Sequence, residues 1–452
     1  MIKLKKNIFD FSVGYAFLKS FVYILMEFFY RKIQKHNIGV IPRNAPVILA
    51  INHQNALMDA MAVIHSVNKQ TVFVARADIF NEKTLRYLMY IKILPIFRIR
   101  DGANKVKLNN MVFDTVVEGL KNNGTLGIMP EGSHGNQRKL RPLKKGIFRI
   151  GFEAQEKFRD QPGVKIIPVG LEFSDYYNPR SDLFVNIGKP IELADYYKAY
   201  KENGPKTINL VSKELFAGLS DVMIDIQQDD YYETFDFLRK FFRPYLLKEM
   251  NKKDSNLFNR FVAEKKIISI LNHSLEQDPG ELSSLKTLVQ EYKDLLHKLD
   301  LRDWILKKKH NIFVPGLQFL LFVIFSPLYL YGAINNYLPY IIPVHYTKKV
   351  KDPQFISSFR FGLSYFLFPA FYLLQTILVA IFVPFSFAWL IYLVSLPLTG
   401  LFSVNYSYYF KRWKLNIRYL WVTYRKNQLL KQAKYKRQEI LGKMKKLSSI
   451  TG

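Results

Sequence analysis

The chain has 452 residues, of which 15% are aromatic, with a formal net charge of +29 and no cysteine. This length fits two or three domains, and the absence of thiols excludes a cysteine acyl-enzyme. The eight histidines are scattered without the paired spacing of metal ligands, so the sequence predicts no metal site.

Residues 1–37 combine a basic start with a long apolar and aromatic stretch. Asp10, Lys19 and Glu27 interrupt this stretch, and no small-residue cleavage site follows it, which is atypical of a signal peptide. We therefore predict a membrane-associated helix that lies on the bilayer, with its aromatic side chains at headgroup depth.

The next element is the apolar run 47–51, followed by His53 and, six positions later, by Asp59. A six-residue step on one helix leaves the two side chains on different faces. We therefore predict a buried strand at 47–51, His53 on the loop, and Asp59 in the first turns of the next helix, with Asn55 as N-cap. Such a pair can act as a catalytic base with its orienting carboxylate. The alternative is a loop histidine beside an aspartate that the helix dipole favours.

Three further blocks follow in chain order. The first, 93–100, is an apolar strand-like run that ends in Arg98 and Arg100. The second, 127–135, contains Pro-Glu-Gly-Ser at 130–133 and is followed by Lys-Lys-Gly at 144–146. The alternative to a functional role is that Pro-Glu-Gly-Ser forms an ordinary turn and Lys-Lys-Gly a basic turn before a helix. The third, 165–170, is a short apolar strand. Ser133 does not fit the Gly-x-Ser-x-Gly nucleophile elbow, which argues against a serine hydrolase.

Together the four blocks resemble the glycerolipid acyltransferases of the lysophosphatidic-acid acyltransferase type, whose motifs are His-x4-Asp, an apolar run ending in Arg, Pro-Glu-Gly-Thr/Ser and an apolar-Pro-apolar strand. The resemblance covers roughly residues 40–190. It implies an α/β domain with a central mixed sheet flanked by helices. It also implies catalytic residues His53 and Asp59, and substrate-binding residues Arg98, Arg100, Glu131, Gly132 and Ser133.

Two departures from the family pattern bear on the substrate. Five residues separate His53 from Asp59 where four are usual, a spacing similar to that of some glycerol-3-phosphate and dihydroxyacetone-phosphate acyltransferases. In addition, Lys92 or Ile93 stands where the arginine block often begins with glycine. The resemblance implies 1-acyl-glycerol 3-phosphate as first acceptor, with phosphatidic acid as product, and glycerol 3-phosphate as the alternative.

The chemistry expected is direct attack of the acceptor hydroxyl on an acyl-CoA or acyl-carrier-protein thioester, with no further cofactor. A different class of function also stays open, a non-catalytic membrane scaffold or lipid-transfer protein with a degenerate acyltransferase domain. Such a protein would have no chemical reason to keep His53, Asp59, Arg98 and Glu131 together.

The second half of the chain is organised around apolar runs. Residues 205–310 have mixed charge and a helical period of apolar residues, which is marked at 282, 285, 288, 289, 292, 295 and 296, after the turn at 278–280. The uncharged runs 312–342 and 361–404 are each long enough to cross a bilayer. The second has the length of a hairpin divided at Pro384, whereas the first is short for two passes and fits a re-entrant segment.

Basic residues flank these runs at 307–309, at 348–351 and in the tail from 411, which by the positive-inside rule puts all three on the cytoplasmic side. Between 411 and 446 the tail holds thirteen basic residues and a single acidic one, and it predicts binding to anionic lipids. Nothing in it favours nucleic acid. We expect an integral protein of a bacterial inner membrane, with its catalytic domain in the cytoplasm.

The predicted organisation is therefore a membrane-associated helix at 1–37, an acyltransferase domain at 38–204, a helical insertion at 205–310, a transmembrane region at 311–410 and a basic juxtamembrane tail at 411–452.

Overall fold

The structure, a computed structural model, describes residues 8–97, 108–157, 163–307, 313–383 and 387–450. It contains two compact units. The first comprises Met1–Gln227 together with Val350–Phe359, and the second comprises Gln228–Lys349 together with Arg360–Gly452.

The first unit is built on a mixed sheet of eight strands. In chain order these are β1 (Lys32–His36), β2 (Val47–Ile51), β3 (Thr71–Arg76), β4 (Ile93–Ile96), β5 (Thr125–Ile128), β6 (Lys165–Phe173), β7 (Asp182–Ile187) and β8 (Ile191–Glu192). The strand order is β1-β7-β6-β2-β5-β3-β4, with β8 on β6. The strands β6, β2, β5, β3 and β4 run parallel, whereas β7 and β8 are antiparallel to β6. The predicted mixed α/β sheet is confirmed.

The strands at the centre of this sheet are buried on both faces, and their sequences show it. All five residues of β2 and all four of β5 are buried. A parallel strand covered by helices on both sides needs a continuous apolar run, because neither face meets water. The predicted strand at 47–51 therefore lies where its composition requires, beside β5 and β6 in the middle of the sheet.

Seven helices belong wholly to the described part of the first unit. They are α1 (Val13–Phe29), α2 (Leu57–Ser66), α3 (Glu82–Tyr90), α4 (Asn109–Lys121), α5 (Gly146–Lys157), α6 (Leu193–Glu202) and α7 (Gly204–Val222). Local capping explains several starts: Ser12 accepts a hydrogen bond from the Tyr15 amide, and Asn81 and Thr84 form a reciprocal capping box at α3.

The first unit extends beyond the predicted domain limits of 38 and 204 at both ends. Residues 32–36, assigned from the sequence to a membrane-associated segment, form β1 and pair with β7. Helix α7 lies against β6, where a Cβ on Gly170 would stand 1.9 Å from the carbonyl oxygen of Val222. This close backbone approach ties residues 205–222 to the sheet rather than to a separate helical insertion.

The second unit is helical. Its helices are α8 (Tyr232–Glu249), α9 (Leu257–Gln277), α10 (Pro279–Leu299), α11 (Asp303–Leu306), α12 (Phe313–Thr347), α13 (Ile356–Phe382, whose first turn belongs to the first unit), α14 (Ala388–Tyr424) and α15 (Gln428–Ile450). Asp278 caps α10 and Pro279 starts it, as the turn at 278–280 predicts. All seven apolar positions predicted from the period lie buried along α10.

In the part of the chain that the structure describes, three helices are long and apolar enough to cross a membrane: α12, the stretch Pro353–Phe382 that includes α13, and α14. The run predicted at 361–404 is divided between two helices, α13 and α14, and its hairpin form stays a prediction. Pro384 lies outside the described residues. The predicted re-entrant form of 312–342 is not found, since α12 is one helix of 35 residues that accommodates Pro327, Pro339 and Pro343.

Polar side chains join these three helices inside their apolar surroundings. Tyr372 of α13 donates a hydrogen bond of 2.6 Å to the Asn336 side chain on α12, and Tyr392 of α14 donates one of the same length to Asn335. A Cβ on Gly332 would stand 2.2 Å from the carbonyl oxygen of Thr399, so glycine allows α12 and α14 to pack closely. Small residues and interhelical hydrogen bonds are what hold helices together in lipid.

The basic tail is helical and partly packed on protein. Helix α15 lies against α10, and three of its cations pair with acidic residues: Lys436 with Glu291 at 2.6 Å, Arg437 with Asp303 at 2.9 Å and Lys446 with Glu281 at 3.5 Å. Arg437 is only 4% exposed. These three cations are engaged with protein carboxylates, so the predicted binding to anionic lipids now applies to the other basic residues of the tail.

Candidate active site

Three parallel strands end at one edge of the sheet, and each is followed by one of the sequence blocks. Strand β2 leads to His53, β5 leads to Glu131, and β4 leads to the segment that carries Arg98. Because these strands and β3 all run parallel, their carboxyl ends share an edge. Ligands of open α/β sheets bind at such an edge, outside the carboxyl ends of the strands.

The arginine block is defined at its start. Arg98 and Arg100 lie outside the described residues, so their phosphate-binding role stays a prediction. Phe97, the residue before them, is tied to Asn109 by two hydrogen bonds of 2.9 and 2.8 Å. Lys92, at the place where the family often has glycine, adopts a φ of +61°, in the left-handed region that glycine favours.

The catalytic pair predicted from the sequence is assembled. The Nδ1 atom of His53 lies 2.8 Å from Oδ2 of Asp59. Asp59 is fully buried, whereas the His53 side chain is 17% exposed. With Nδ1–H donated to the carboxylate, the remaining ring nitrogen, Nε2, keeps the lone pair that a general base needs.

The longer spacing between these two residues is absorbed by a tight turn. Oδ2 of Asp59 also accepts hydrogen bonds from the amides of Gln54 at 3.0 Å and Asn55 at 2.9 Å. Ala56 takes the extra length with a φ of +45° and a ψ of −122°. The predicted Asn55 cap is wrong, because Ala56 occupies the N-cap position of α2 and supplies no side-chain hydrogen bond.

Glu131 holds the backbone of His53 in place. One of its oxygens accepts a hydrogen bond of 2.8 Å from the His53 amide, and the other accepts the Arg141 amide at 3.1 Å and Arg141 Nε at 2.8 Å. The Nη2 atom of Arg141 then donates to the His53 carbonyl at 2.8 Å, where the Gly135 amide also donates at 3.2 Å. Both polar groups of the His53 backbone are thus fixed by the Pro-Glu-Gly-Ser block and its neighbours.

Burial raises the pKa of the Glu131 carboxyl above its ordinary value, against the charge and hydrogen bonds of Arg141 and the His53 amide, which lower it. Glu131 is 1% exposed and its contacts are with protein groups. Its geometry is that of a residue that positions the base, while its predicted contact with substrate stays a prediction.

Gly132 and Ser133 are exposed beside the pair. The turn before them is closed by a hydrogen bond of 3.1 Å from the Gly132 amide to the Met129 carbonyl, and Gly132 has a φ of +71°. A glycine is favoured there because an L side chain would be strained in the left-handed region. The predicted turn is therefore present, and its exposed serine lies where a substrate group can approach.

His134 lies next to the catalytic histidine. Its ring meets that of His53 edge-on, with centroids 5.5 Å apart, and meets Phe355 at 4.9 Å. Burial, together with the neighbouring His53, lowers the pKa of His134, while Asp352 at 3.9 Å opposes this. A lowered pKa favours the neutral form of the His134 ring beside His53.

Sequence analysis missed three residues of this site, Arg141, Ser357 and Ser358. Arg141 follows Glu131 by ten residues in a basic stretch, and no spacing rule distinguished it from the neighbouring lysines. Ser357 and Ser358 contact the turn that carries His53, although about 300 residues separate them from it. No local pattern could have connected them.

His65, the histidine of helix α2, has a packing role. Its ring stacks on Tyr23 of α1 at 4.3 Å, and its Nε2 lies 2.9 Å from Glu27. Among the described residues, no group of three or more histidine or carboxylate side chains is arranged to hold a metal ion.

Comparison with known proteins places these features in a family. Residues 32–172 match the family model described as Acyltransferase. Glycerol-3-phosphate O-acyltransferase 1 of Saccharomyces cerevisiae is 26% identical over 215 residues, 47% of this chain and 27% of the yeast protein. The 1-acyl-sn-glycerol-3-phosphate acyltransferase beta of Homo sapiens is 27% identical over 143 residues, 31% of this chain and 47% of the human protein.

A crystal structure of the 1-acyl-sn-glycerophosphate acyltransferase PlsC from Thermotoga maritima is 19% identical, with a TM-score of 0.34, and covers 46% of this chain and 79% of that one. The chain spans about a quarter to a half of the length of the two curated relatives just named. The matched residues are those that build the sheet edge and the His53–Asp59 pair. By its motifs and this family match, the segment 32–172 is an acyltransferase domain that is similar to those of the glycerolipid acyltransferases.

Proposed function

We propose that this protein is a membrane-bound O-acyltransferase that moves a fatty acyl group from a thioester to a hydroxyl of a glycerol phosphate. The observation that carries the proposal is the hydrogen bond of 2.8 Å between His53 Nδ1 and the buried Asp59. A partly exposed base oriented by a carboxylate is the arrangement that deprotonation of an alcohol requires, and the chain has no cysteine to form an acyl-enzyme.

In the proposed reaction, Nε2 of His53 takes the proton of the acceptor hydroxyl as its oxygen attacks the thioester carbonyl. The C–S bond then breaks, and the thiolate leaves with the proton that the imidazolium returns. Asp59 stabilises the imidazolium between these steps. Ser133 is proposed to meet the developing negative charge on the carbonyl oxygen or a polar group of the acceptor.

For the acceptor phosphate, we propose Arg98 with help from Arg100. A guanidinium stays charged and bonds two oxygens of a phosphate at once. The basic exposed turn at Lys144 and Lys145 is a second candidate for this contact. The donor is proposed to be acyl-CoA or acyl-carrier protein, and no resident cofactor is required.

We consider two acceptor substrates. The first is 1-acyl-glycerol 3-phosphate, which would give phosphatidic acid. The second is glycerol 3-phosphate or dihydroxyacetone phosphate, and two observations favour it. The loop between His53 and Asp59 is one residue longer than usual, and the yeast glycerol-3-phosphate relative matches 47% of this chain against 31% for the human acylglycerol-phosphate relative.

We also propose that the membrane helices attach the protein to one face of a bilayer. The chain leaves the first unit after Gln227 and returns to it at Val350. Among the described residues between those points, only α12 has the length and composition of a membrane span. A single complete crossing would put the returning segment on the wrong side of the bilayer. We therefore propose that α12, as one continuous helix, lies within one leaflet with both of its ends at the same face.

This arrangement agrees with the sequence prediction that the basic segments at 307–309, at 348–351 and after 411 share one side. The cytoplasm of a bacterial cell stays the predicted location of the catalytic unit. The two curated relatives come from a yeast and human, and the PlsC structure from Thermotoga maritima.

The deciding experiment measures acyl transfer by the purified full-length protein in detergent to glycerol 3-phosphate and to 1-acyl-glycerol 3-phosphate in parallel. The variant His53→Ala removes the base, and His297→Ala is the matched control, because His297 is an exposed histidine on α10. Transfer that His53→Ala abolishes and His297→Ala keeps supports the proposal and selects the acceptor. Equal rates in wild type and His53→Ala would favour the non-catalytic alternative.

A further inference from the structure

The turn that carries the catalytic histidine is strained and lacks a cap of its own. Ala56 has a φ of +45°, a conformation that costs an L residue free energy unless its surroundings hold it there. Ala56 is also the N-cap of α2, where an alanine leaves the first amides of the helix without a side-chain acceptor. The Asp59 carboxylate accepts the amides before Ala56, and the Met58 and Asp59 amides donate to the carbonyls of Asn55 and Ala56, which leaves the Leu57 amide to find an acceptor elsewhere.

Two serines from a distant part of the chain meet the turn on both sides of Ala56. Ser357 Oγ donates a hydrogen bond of 2.6 Å to the side-chain oxygen of Asn55, and the Leu57 amide donates one of 3.2 Å to Ser358 Oγ. Ser357 is 1% exposed and Ser358 is 7% exposed. Ser358 thereby supplies to α2 the cap that Ala56 cannot give.

The same segment also lines the histidine side of the site. Phe355 packs edge-on against the ring of His134 at 4.9 Å, and Asp352 lies 3.9 Å from Nδ1 of that ring. Asp352 is fixed in turn, because its carboxylate accepts the Gln354 amide at 3.1 Å. Residues 352–358 thus contact both His134 and the turn that follows His53.

We propose that the segment 350–359, which connects two candidate membrane helices, is a structural part of the active site, and that Ser357 and Ser358 are positioning residues for His53 and Asp59. The inference rests on the proposed acyl transfer for its kinetic test, but its structural test does not. It implies that catalytic competence depends on the helix start at Ile356 and not only on residues 32–172.

The kinetic test compares wild type with Ser357→Ala, Ser358→Ala and the double variant in detergent. Each single change removes one hydrogen bond to the turn, and we expect kcat to fall about 3- to 10-fold, and about 10- to 100-fold in the double variant. KM for the acceptor should change less than 2-fold or so, because neither serine is proposed to touch substrate. Ser357→Thr keeps the hydroxyl and should recover most of the rate.

The matched control is Ser20→Ala, an exposed serine of the same unit whose hydroxyl donates a hydrogen bond to the Ala16 carbonyl one turn before it. Its kcat should stay within about 2-fold of wild type. A wild-type rate in the double variant, or a loss that Ser20→Ala reproduces, would overturn the proposal.

Hydrogen exchange gives an answer even if the wild-type protein transfers no acyl group to either acceptor. Amides of residues 54–59 should exchange about 10-fold faster in the double variant than in wild type or Ser20→Ala, while the buried strand β2 stays protected. Unchanged exchange at 54–59 refutes the positioning role. Faster exchange with an inactive wild type keeps the positioning role and rejects the proposed function alone.

Discussion

Replacing Glu131 with glutamine tests whether this residue positions the base or binds substrate. Glu131 accepts hydrogen bonds from the His53 amide, the Arg141 amide and Arg141 Nε, at 2.8, 3.1 and 2.8 Å. Glutamine has the same shape but only one acceptor oxygen. Its amino group must therefore face either the His53 amide or the Arg141 donors, so at least one buried donor loses its partner.

The magnitude follows from these contacts. A hydrogen bond to a charged group contributes about 1.5–3 kcal/mol, and an unsatisfied buried donor costs about 1–3 kcal/mol. We take a total free-energy cost of about 2–4 kcal/mol for the substitution. If all of this cost raised the activation barrier, kcat would fall between about 30- and 1,000-fold. Part of the loss will appear as lower stability, so we expect kcat of Glu131→Gln to fall about 100-fold.

The assay follows thiol release from acyl-CoA with a thiol reagent, which suits a chain that contains no cysteine of its own. The control is Glu156→Gln, since Glu156 forms an exposed ion pair with Lys201 in the same unit, and such pairs contribute little. A positioning role predicts a fall in kcat with an acceptor KM close to that of wild type. An effect confined to KM, or an unchanged kcat, refutes the reasoning and restores the predicted substrate contact.

Three further outcomes are expected. Asp59→Asn should lower kcat about 1,000-fold or more while the fold is kept, because the amide favours the wrong tautomer of the histidine; a rate within about 10-fold of wild type would contradict the assigned geometry. Single cysteines at Arg302 and Lys349, in a chain that has none, should react with a membrane-impermeant thiol reagent from the same side of sealed vesicles; labelling from opposite sides would show that α12 crosses once. Burial, with the nearby Lys35, lowers the pKa of His65, although Glu27 opposes this. As the pH falls below about 6.5, the unfolded chain takes up this proton first, so the free energy of unfolding should decline; His65→Gln should flatten that decline in thermal unfolding midpoints, and an unchanged slope would argue against it.

The local sequence was sufficient to predict an element wherever the pattern that the element requires is contained within a few residues. The run at 47–51 had to be a central strand because it is apolar at every position, and the period along α10 placed its seven apolar residues on one buried face. The pairing of His53 with Asp59 could also be predicted from the sequence, because the strand end and the helix start that bring the two together lie within a dozen residues.

The limits of the domains were harder to predict from the sequence, because they depend on how elements pack against one another. Nothing in the composition of residues 205–222 distinguishes a helix that covers β6 from one that stands apart. The contact of Gly170 with Val222 settles this only in three dimensions. In the same way, the tail's charges predicted lipid binding, and only the structure pairs Arg437 with Asp303.

The sequence by itself predicted the pairing of His53 with Asp59, since a strand end and a helix start at this short spacing need only local backbone geometry to bring the two side chains together. The tertiary structure decided which distant groups hold this pair and its turn in position. Arg141 reaches the His53 carbonyl across 88 positions, and Ser357 reaches Asn55 across 302. Contacts at such separations come from the way whole elements pack, and no periodicity or motif within a segment records them.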